Sequence, residues 1–174
     1  MPDAREPAAA KPAIRSADAL LDRWEAAWSG RDAAAFAPLC DPAVQYEDPL
    51  TVAPLIGADE LAAHAELLWQ GFPDVRVERA GERLADLAGR FVAAPCKLAG
   101  TQRGELDGLP PTSRFVVVHA VVWCELRAGR LLRVRAFFDR YDAAVQLGVL
   151  PAAGTLGEKA LLALRGFGLR ARRA

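Results

Sequence analysis

One aspartate and one histidine stand where the sequence could place a proton-transferring side chain against a bound molecule. Asp48 lies in a short strand-like segment, residues 44–49, and His119 lies in a Val- and Trp-rich segment, residues 114–126. A carboxyl group with a pKa raised by burial suits a general base that removes a proton from carbon. An imidazole titrates near neutrality and can relay protons or stabilise an enol. The two residues together predict acid/base catalysis, with Asp48 as the base and His119 as its partner.

Each of these residues also has an ordinary structural interpretation. Asp48 precedes a proline, and an Asp-Pro pair commonly makes a turn with its carboxylate in water. Isolated buried histidines are mostly hydrogen-bonded members of the core. Catalysis is our hypothesis for Asp48, and for His119 both interpretations stay open.

The placement of His119 depends on a β-hairpin that Ala128-Gly129 predicts, because glycine supplies the positive φ that a two-residue turn needs. Regular pairing from this turn fixes the register of two strands, residues 114–126 and 130–138. One face of the hairpin then carries six side chains, which we predict to form the wall of a small-molecule cavity. Their predicted pairs are His119 with Phe138, Val121 with Ala136, and Trp123 with Val134.

Four other residues are predicted to contact the bound molecule. Tyr46 lies on the same side of its strand as Asp48, so its hydroxyl is placed to orient a substrate. Trp24 and Trp69 are candidates for an aromatic wall, which favours a flat, hydrophobic ligand, although most tryptophans in such patterns belong to the core. His64 fits the inner face of a helix, where packing is the favoured interpretation. The histidines and aspartates lack the close spacing of a metal site, so neither a metal nor another cofactor is predicted.

The elements that hold these residues follow from hydrophobic periodicity. A first helix is predicted from Ser16 or Asp18 to Gly30, and a second begins with Asp32 as its N-cap. Helices are predicted over residues 32–39, 58–70, 140–148 and 155–169, and strands over residues 44–49, 75–84, 90–98, 114–126 and 130–138. Helices followed by a run of antiparallel strands predict an α+β fold. We expect a cone-shaped, curved antiparallel sheet that wraps around the N-terminal helices and encloses one pocket.

One folded domain, residues 16–151, is predicted between two terminal segments. Residues 1–15, rich in Pro and Ala, predict a disordered leader, and residues 152–174 predict an amphipathic helix with a basic tail. Twenty-two basic and 22 acidic residues cancel, which favours neither nucleic acid nor a membrane as partner. The three cysteines lie in apolar sequence and are interpreted as reduced. With neither a secretory leader nor an apolar run of membrane length, the predicted location is the cytoplasm.

A set of turn and loop residues resembles a known family. It comprises Gly100-Thr101, Gly104, Gly108-Leu109-Pro110-Pro111-Thr112, Asp139, and Gln146-Leu147-Gly148 with Pro151. In these residues the chain resembles the SnoaL-like polyketide cyclases and ester cyclases of the nuclear-transport-factor-2-like superfamily, which have a cone-shaped α+β fold. The resemblance implies that Asp139 acts as the acid/base in an aldol-type ring closure without metal or cofactor.

Strand alternation conflicts with that implied role, because it puts Asp139 on the face opposite His119. A bulge near Phe137-Phe138 would turn Asp139 inward. Without such a bulge, Asp139 is expected to pair with Arg140 or Arg135 at the surface.

A second similarity involves Tyr46-Glu47-Asp48-Pro49. This segment resembles the strand of ketosteroid isomerases that presents their catalytic aspartate, which implies that Asp48 is the base. Trp24 and Val121 fall where those isomerases keep their two oxyanion donors, so steroid isomerisation is not expected. Limonene-epoxide hydrolases are similar in the same strand, but residues 90–98 lack the Arg-x-Asp pair those enzymes need, which leaves epoxide hydrolysis as a further alternative.

The sequence therefore predicts a cofactor-independent enzyme that cyclises, isomerises or dehydrates a small hydrophobic or aromatic carbonyl compound. The competing hypothesis is a non-catalytic small-molecule-binding or dimerisation module, because a fold does not fix a function. An exposed face with Arg133, Arg135 and Phe137 predicts a homodimer.

Overall fold

The structure, a computed structural model, describes residues 10–164. The predicted leader up to residue 9, the end of the last predicted helix and the basic tail lie outside the described residues. The helices are α1 (Ala10–Gly30), α2 (Phe36–Leu39, preceded by a 3₁₀ turn, Ala33–Ala35), α3 (Ala58–Gly71), α4 (Arg140–Gln146) and α5 (Leu156–Leu164). The strands are β1 (Cys40–Glu47), β2 (Leu55–Ile56), β3 (Arg76–Arg79), β4 (Leu84–Ala85), β5 (Phe91–Thr101), β6 (Phe115–Arg127) and β7 (Arg130–Phe138).

Helix α1 begins earlier than the sequence predicts. It is already helical at Ala10, so neither Ser16 nor Asp18 is its N-cap. Pro12 lies in the first turn, where the missing N–H costs no intrahelical hydrogen bond. The cap predicted for the next helix is confirmed, because the Asp32 side chain accepts a hydrogen bond from the Ala35 N–H.

The strands form one curved sheet in the order β2-β1-β7-β6-β5-β3, with β4 pairing separately with β5. All described pairs are antiparallel except β1 with β7, which is parallel. The predicted α+β cone is confirmed, although its sheet is mixed rather than antiparallel throughout. The reason is that hairpins set the direction of β7, while β1 joins beside it through a long crossover, as parallel pairs require.

The hairpin between β6 and β7 has the predicted turn but not the predicted register. Ala128 and Gly129 both have positive φ, 50° and 74°, and Leu126 faces Leu131 as expected. A bulge then leaves Leu132 without a partner, so that Cys124, not Trp123, faces Val134. A slip of one residue exchanges the two faces of a strand.

Helices α1 and α3 pack on the concave side of this sheet and fill it with apolar side chains. The predicted inner face of α1 is confirmed by five buried residues, Leu20, Leu21, Trp24, Ala27 and Trp28. They join one core with β1, β5, β6 and β7. The three cysteines, Cys40, Cys96 and Cys124, are free thiols in this core, and burial raises the pKa of each one.

Arg83 ties the loop between β3 and β4 to α1. Its side chain is 2% exposed, and its guanidinium lies 2.7 Å from Asp22 and 2.8 Å from Glu25. It also donates to the backbone oxygen of Asp18 at 2.8 Å. These contacts join the outer part of the sheet to the N-terminal helix.

Gln102 holds together the glycine-rich loop, residues 102–113. Its buried side chain donates to the backbone oxygen of Gly104 at 3.2 Å and accepts from the Thr112 N–H at 2.9 Å. The loop lies so close to the end of α3 that a Cβ at Gly104 would be 1.9 Å from the Gln70 oxygen. Glycine is therefore required where the loop meets the helix.

Candidate active site

An apolar cavity of about 130 Å³ lies between α1, α3 and the concave face of the sheet. Six aromatic side chains contribute to its wall, namely Trp24, Trp28, Tyr46, Trp69, Phe72 and Phe138. Within residues 10–164, the wall contains no Lys, Arg or His, and Asp48 is its one charged residue. Among the described residues, no group of three or more His, Cys, Asp or Glu side chains is arranged to hold a metal ion.

The three tryptophans of the wall lie on α1 and α3 and pack around Phe36 of α2. Trp24 and Trp28 lie one helical turn apart and therefore share a face of α1. Phe36 is fully buried and packs against both, with ring centroids 5.2 and 5.3 Å away. The Trp69 indole stacks on Phe36 at 6.2 Å and donates to the Trp28 backbone oxygen at 3.1 Å. Trp24 and Trp69 thus line the cavity as predicted.

Asp48 lies immediately after β1 with its side chain 2% exposed. Its Oδ1 accepts hydrogen bonds from the Leu50 N–H at 2.7 Å and the Thr51 N–H at 3.0 Å. Its Oδ2 accepts from the Tyr46 hydroxyl at 3.0 Å and lies 2.8 Å from His64 Nε2. A carboxylate has about four lone-pair sites, so these four donors occupy all of them.

The ionisation of Asp48 differs from the prediction. Burial raises its pKa, but the hydrogen bond and charge of His64, with the Leu50 N–H and the Tyr46 hydroxyl, outweigh burial and hold the pKa below its ordinary value. Asp48 is therefore ionised at neutral pH. An ionised carboxylate only accepts hydrogen bonds, so His64 Nε2 is the donor in their contact. Burial, followed by the negative charge of Asp48, raises the pKa of Tyr46 well above its ordinary value.

His64 is the partner that the sequence did not predict for Asp48. It lies on the inward side of α3, as expected, with its side chain 15% exposed and its ring 5.7 Å from the Tyr46 ring. It stands behind Asp48 and does not line the cavity. The sequence pattern indicates inward positions for both Asp48 and His64, but only the packing of α3 beside β1 shows that they meet.

The prediction that His119 lines the cavity is wrong. The bulge in β7 turns Ala120 and Val122 toward the cavity and leaves His119, Val121 and Trp123 on the outer face of the sheet. His119 is exposed and faces Lys97 of β5. Val121 and Trp123 are therefore also removed from the predicted wall.

The three residues of β7 that are predicted to face inward, Val134, Ala136 and Phe138, do face inward. Ala136 and Phe138 line the cavity. Val134 shares their side but is 1% exposed and lies in the core rather than in the wall.

Asp139 also lies outside the cavity wall. Its Oδ1 accepts from the Tyr141 N–H at 2.8 Å and the Asp142 N–H at 3.1 Å, so it is the N-cap of α4. The bulge that would turn it inward is at the other end of β7. The carboxylate that the cavity contacts is that of Asp48.

A curved, unclosed sheet around N-terminal helices, with one carboxylate in an apolar cavity, defines an α+β cone of the ketosteroid isomerase-like kind. The family model for SnoaL-like polyketide cyclases matches residues 18–147. The chain belongs to that family, which generally consists of enzymes. Its resemblance to the family at the level of sequence is thus confirmed.

Solved structures agree with this fold. A protein from Jannaschia sp. CCS1, assigned as a SnoaL-like polyketide cyclase, has a TM-score of 0.70 at 20% identity, covering 86% of this chain and 100% of that one. IdmH from Streptomyces antibioticus, assigned as a polyketide cyclase, has a TM-score of 0.65 at 20% identity, covering 76% and 98%. A Catenulispora acidiphila protein with a ketosteroid isomerase-like fold has a TM-score of 0.64 at 16% identity, covering 74% and 92%. No curated protein matches the sequence.

In residues 10–164, none of the helices combines the length and the apolar character needed to cross a membrane.

Proposed function

We propose that the protein is a cofactor-independent acid/base enzyme that forms an enolate from a small hydrophobic carbonyl compound. Family membership supports a cyclase- or isomerase-type role without a cofactor. The observation that carries the proposal is a buried, ionised carboxylate, Asp48, on an otherwise apolar cavity wall. Enolate formation is the step that aldol cyclisation, isomerisation and dehydration of such compounds have in common.

Asp48 needs a free lone pair to accept a proton, and one of its four donors can release it. The Leu50 and Thr51 N–H groups are fixed in the backbone, and the His64 ring is packed against Tyr46. The Tyr46 hydroxyl hydrogen, in contrast, rotates about the C–O bond. When it turns toward a bound carbonyl oxygen, Oδ2 gains a free lone pair and loses one of the hydrogen bonds that lower its pKa.

The proton on the carbon next to the carbonyl moves to Asp48 Oδ2, and the electron pair of the C–H bond moves toward the carbonyl oxygen. The Tyr46 hydroxyl donates to the resulting enolate oxygen, as a donor in an oxyanion hole does. In an isomerisation the proton returns to another carbon. In a cyclisation the enolate carbon attacks a second carbonyl, and the alkoxide oxygen that forms takes the proton from Asp48.

His64 provides a connection between this carboxylate and solvent. It stays within 2.8 Å of Asp48 Oδ2, and 15% of its side chain is exposed. We propose that, once Asp48 carries the captured proton, the neutral His64 tautomer protonated at Nδ1 accepts it at Nε2 and releases the Nδ1 proton to water when the reaction requires a net transfer.

The test of this function is Asp48→Asn. The new side-chain oxygen can still accept from the Leu50 and Thr51 N–H groups, so the turn is kept while the base is lost. Exchange of α-hydrogens for deuterium in a panel of small ketones and enones, followed by NMR, should slow by at least ~10²-fold. The matched control is Asp139→Asn, which should exchange at the wild-type rate. Full exchange in Asp48→Asn would remove Asp48 from the mechanism.

The competing function is a non-catalytic binding module of the same fold. The observation in its favour is that aromatic side chains leave a cavity of only about 130 Å³. Saturable binding of the panel with no α-hydrogen exchange in the wild-type protein would select this alternative.

We also propose that the outer face of the sheet is covered by a second copy of the chain. Three apolar side chains stand exposed there, Phe115 at 62%, Val121 at 41% and Phe137 at 52%. Sedimentation velocity should show a dimer that Phe137→Glu dissociates. Leu67→Glu, at an exposed residue of α3, is the control and should leave it intact. A monomeric wild-type protein would contradict this proposal.

A further inference from the structure

We infer that the cavity selects an uncharged compound with one six-membered ring, or of that bulk, over fused polycyclic compounds. The inference names the substrate class of the proposed enzyme and so rests on that function. The predicted preference in binding depends only on the size and chemistry of the cavity. The cavity measures about 130 Å³, and an apolar protein cavity of about 150 Å³ holds one benzene. A second fused ring therefore exceeds the enclosed volume and would have to lie in the opening of the cavity, outside the aromatic wall.

The wall cannot easily yield to a larger ligand. Phe36 packs behind Trp24 and Trp28 and stacks on Trp69, and none of it is exposed. The hydrogen bond from Trp69 to the Trp28 backbone fixes α3 against α1. Protein interiors packed in this way have few voids to absorb a displaced ring. Enlarging the cavity on its aromatic side would require moving the whole cluster around Phe36.

The charges around the cavity favour an uncharged ligand. An anionic ligand would lie against the ionised Asp48 in apolar surroundings, and no Lys, Arg or His of the described chain lies in the wall to offset its charge. An ammonium group could reach only the lone pair of Asp48 that the Tyr46 hydroxyl releases, and the apolar wall offers few acceptors for its remaining N–H groups. A neutral carbonyl requires only that the Tyr46 hydroxyl turn toward it.

Binding, rather than turnover, tests this inference. Quenching of tryptophan fluorescence reports ligands in the cavity, because Trp24, Trp28 and Trp69 line it. Cyclohexenone should give saturable quenching, tetralone should bind at least about tenfold more weakly, and anthrone and a steroid enone should give none. At neutral pH, cyclohexanone should bind at least about tenfold more tightly than cyclohexanecarboxylate or cyclohexylammonium. Anthrone or the carboxylate binding as tightly as the neutral one-ring ketone would overturn the inference.

Two leucines on α3 supply a matched pair of variants. Leu68 lines the cavity, whereas its neighbour Leu67 is 58% exposed. Leu68→Ala should increase the affinity for tetralone at least about tenfold, by making room for the second ring. Leu67→Ala should leave the relative affinities for one-ring and fused-ring ketones unchanged. An equal gain in tetralone affinity in both variants would show that the cavity is not the binding site.

The two proposals fail in different ways. A protein that binds only one-ring ketones but exchanges none of their α-hydrogens would refute the enzyme and leave the size selection standing. A protein that exchanges α-hydrogens of fused-ring ketones as fast as those of cyclohexenone would refute the size selection and leave the enzyme.

Discussion

Replacing Tyr46 by Phe separates two roles that its hydroxyl could have. The substitution keeps the ring, which packs 6.1 Å from Trp24, 6.3 Å from Trp28 and 5.7 Å from His64. It removes the buried hydrogen bond to Asp48 Oδ2. A hydrogen bond to a charged group contributes roughly 1.5–3 kcal/mol. The substitution should therefore lower the free energy of unfolding by about that amount.

The kinetic effect distinguishes an oxyanion donor from a group that only orients Asp48. If Tyr46 donates to the enolate oxygen, kcat should fall about 10²–10³-fold, as it does when one oxyanion-hole donor is removed. If Tyr46 only orients the carboxylate, the variant frees a lone pair and raises the pKa of Asp48, which makes it a stronger base. In that case kcat should stay the same or increase.

The assay is kcat and kcat/KM for α-hydrogen exchange of a one-ring ketone as a function of pH. The acidic limb of kcat/KM reports the free enzyme's base. It should move to higher pH in Tyr46→Phe, because one of the hydrogen bonds that lower the pKa of Asp48 is lost. An unchanged or higher kcat in a stably folded Tyr46→Phe would refute the role of Tyr46 as donor to the enolate.

Three other perturbations test the site and its supports. His64→Gln should slow the entry of solvent deuterium into the product by at least about tenfold while leaving ligand binding intact, and equal deuterium entry would contradict the proton route. Wild-type stability should decline in acid. The lowered pKa of Asp48 contributes stability above its unfolded pKa of about 3.9, and this contribution is lost as the pH falls through the folded pKa. In acid titrations followed by circular dichroism, Asp48→Asn should lack this contribution. Gly104→Ala should lower the free energy of unfolding in urea by about 1–3 kcal/mol because its Cβ meets the Gln70 oxygen, whereas Gly30→Ala has open space and should change little.

The sequence was informative wherever a local pattern determined the structure. Helical spacing placed Trp24 inward, strand alternation placed Tyr46 beside Asp48, and Ala128-Gly129 correctly located the hairpin turn. Each of these depends on neighbours within a few positions along the chain.

The failures at the candidate site involve pairings that the local sequence pattern does not encode. The unpaired Leu132 in β7 leaves no trace in the hydrophobic pattern, yet it decided that His119 faces outward. The pairing of His64 with Asp48 and the lowered pKa that follows depend on how α3 packs beside β1. The sequence predicts that Asp48 is buried, but the net direction of its pKa shift depends on the four hydrogen-bond donors, which only the structure shows.

The bulge also has a consequence for chain length. Because Leu132 faces no residue of β6, its removal would restore regular pairing of Glu125 with Arg133 next to that of Leu126 with Leu131. Val134, Ala136 and Phe138 would keep their orientation. Deletion of Leu132, in evolution or by engineering, would thus shorten the strand by one residue. The residues of β7 that line the cavity would still face the cavity.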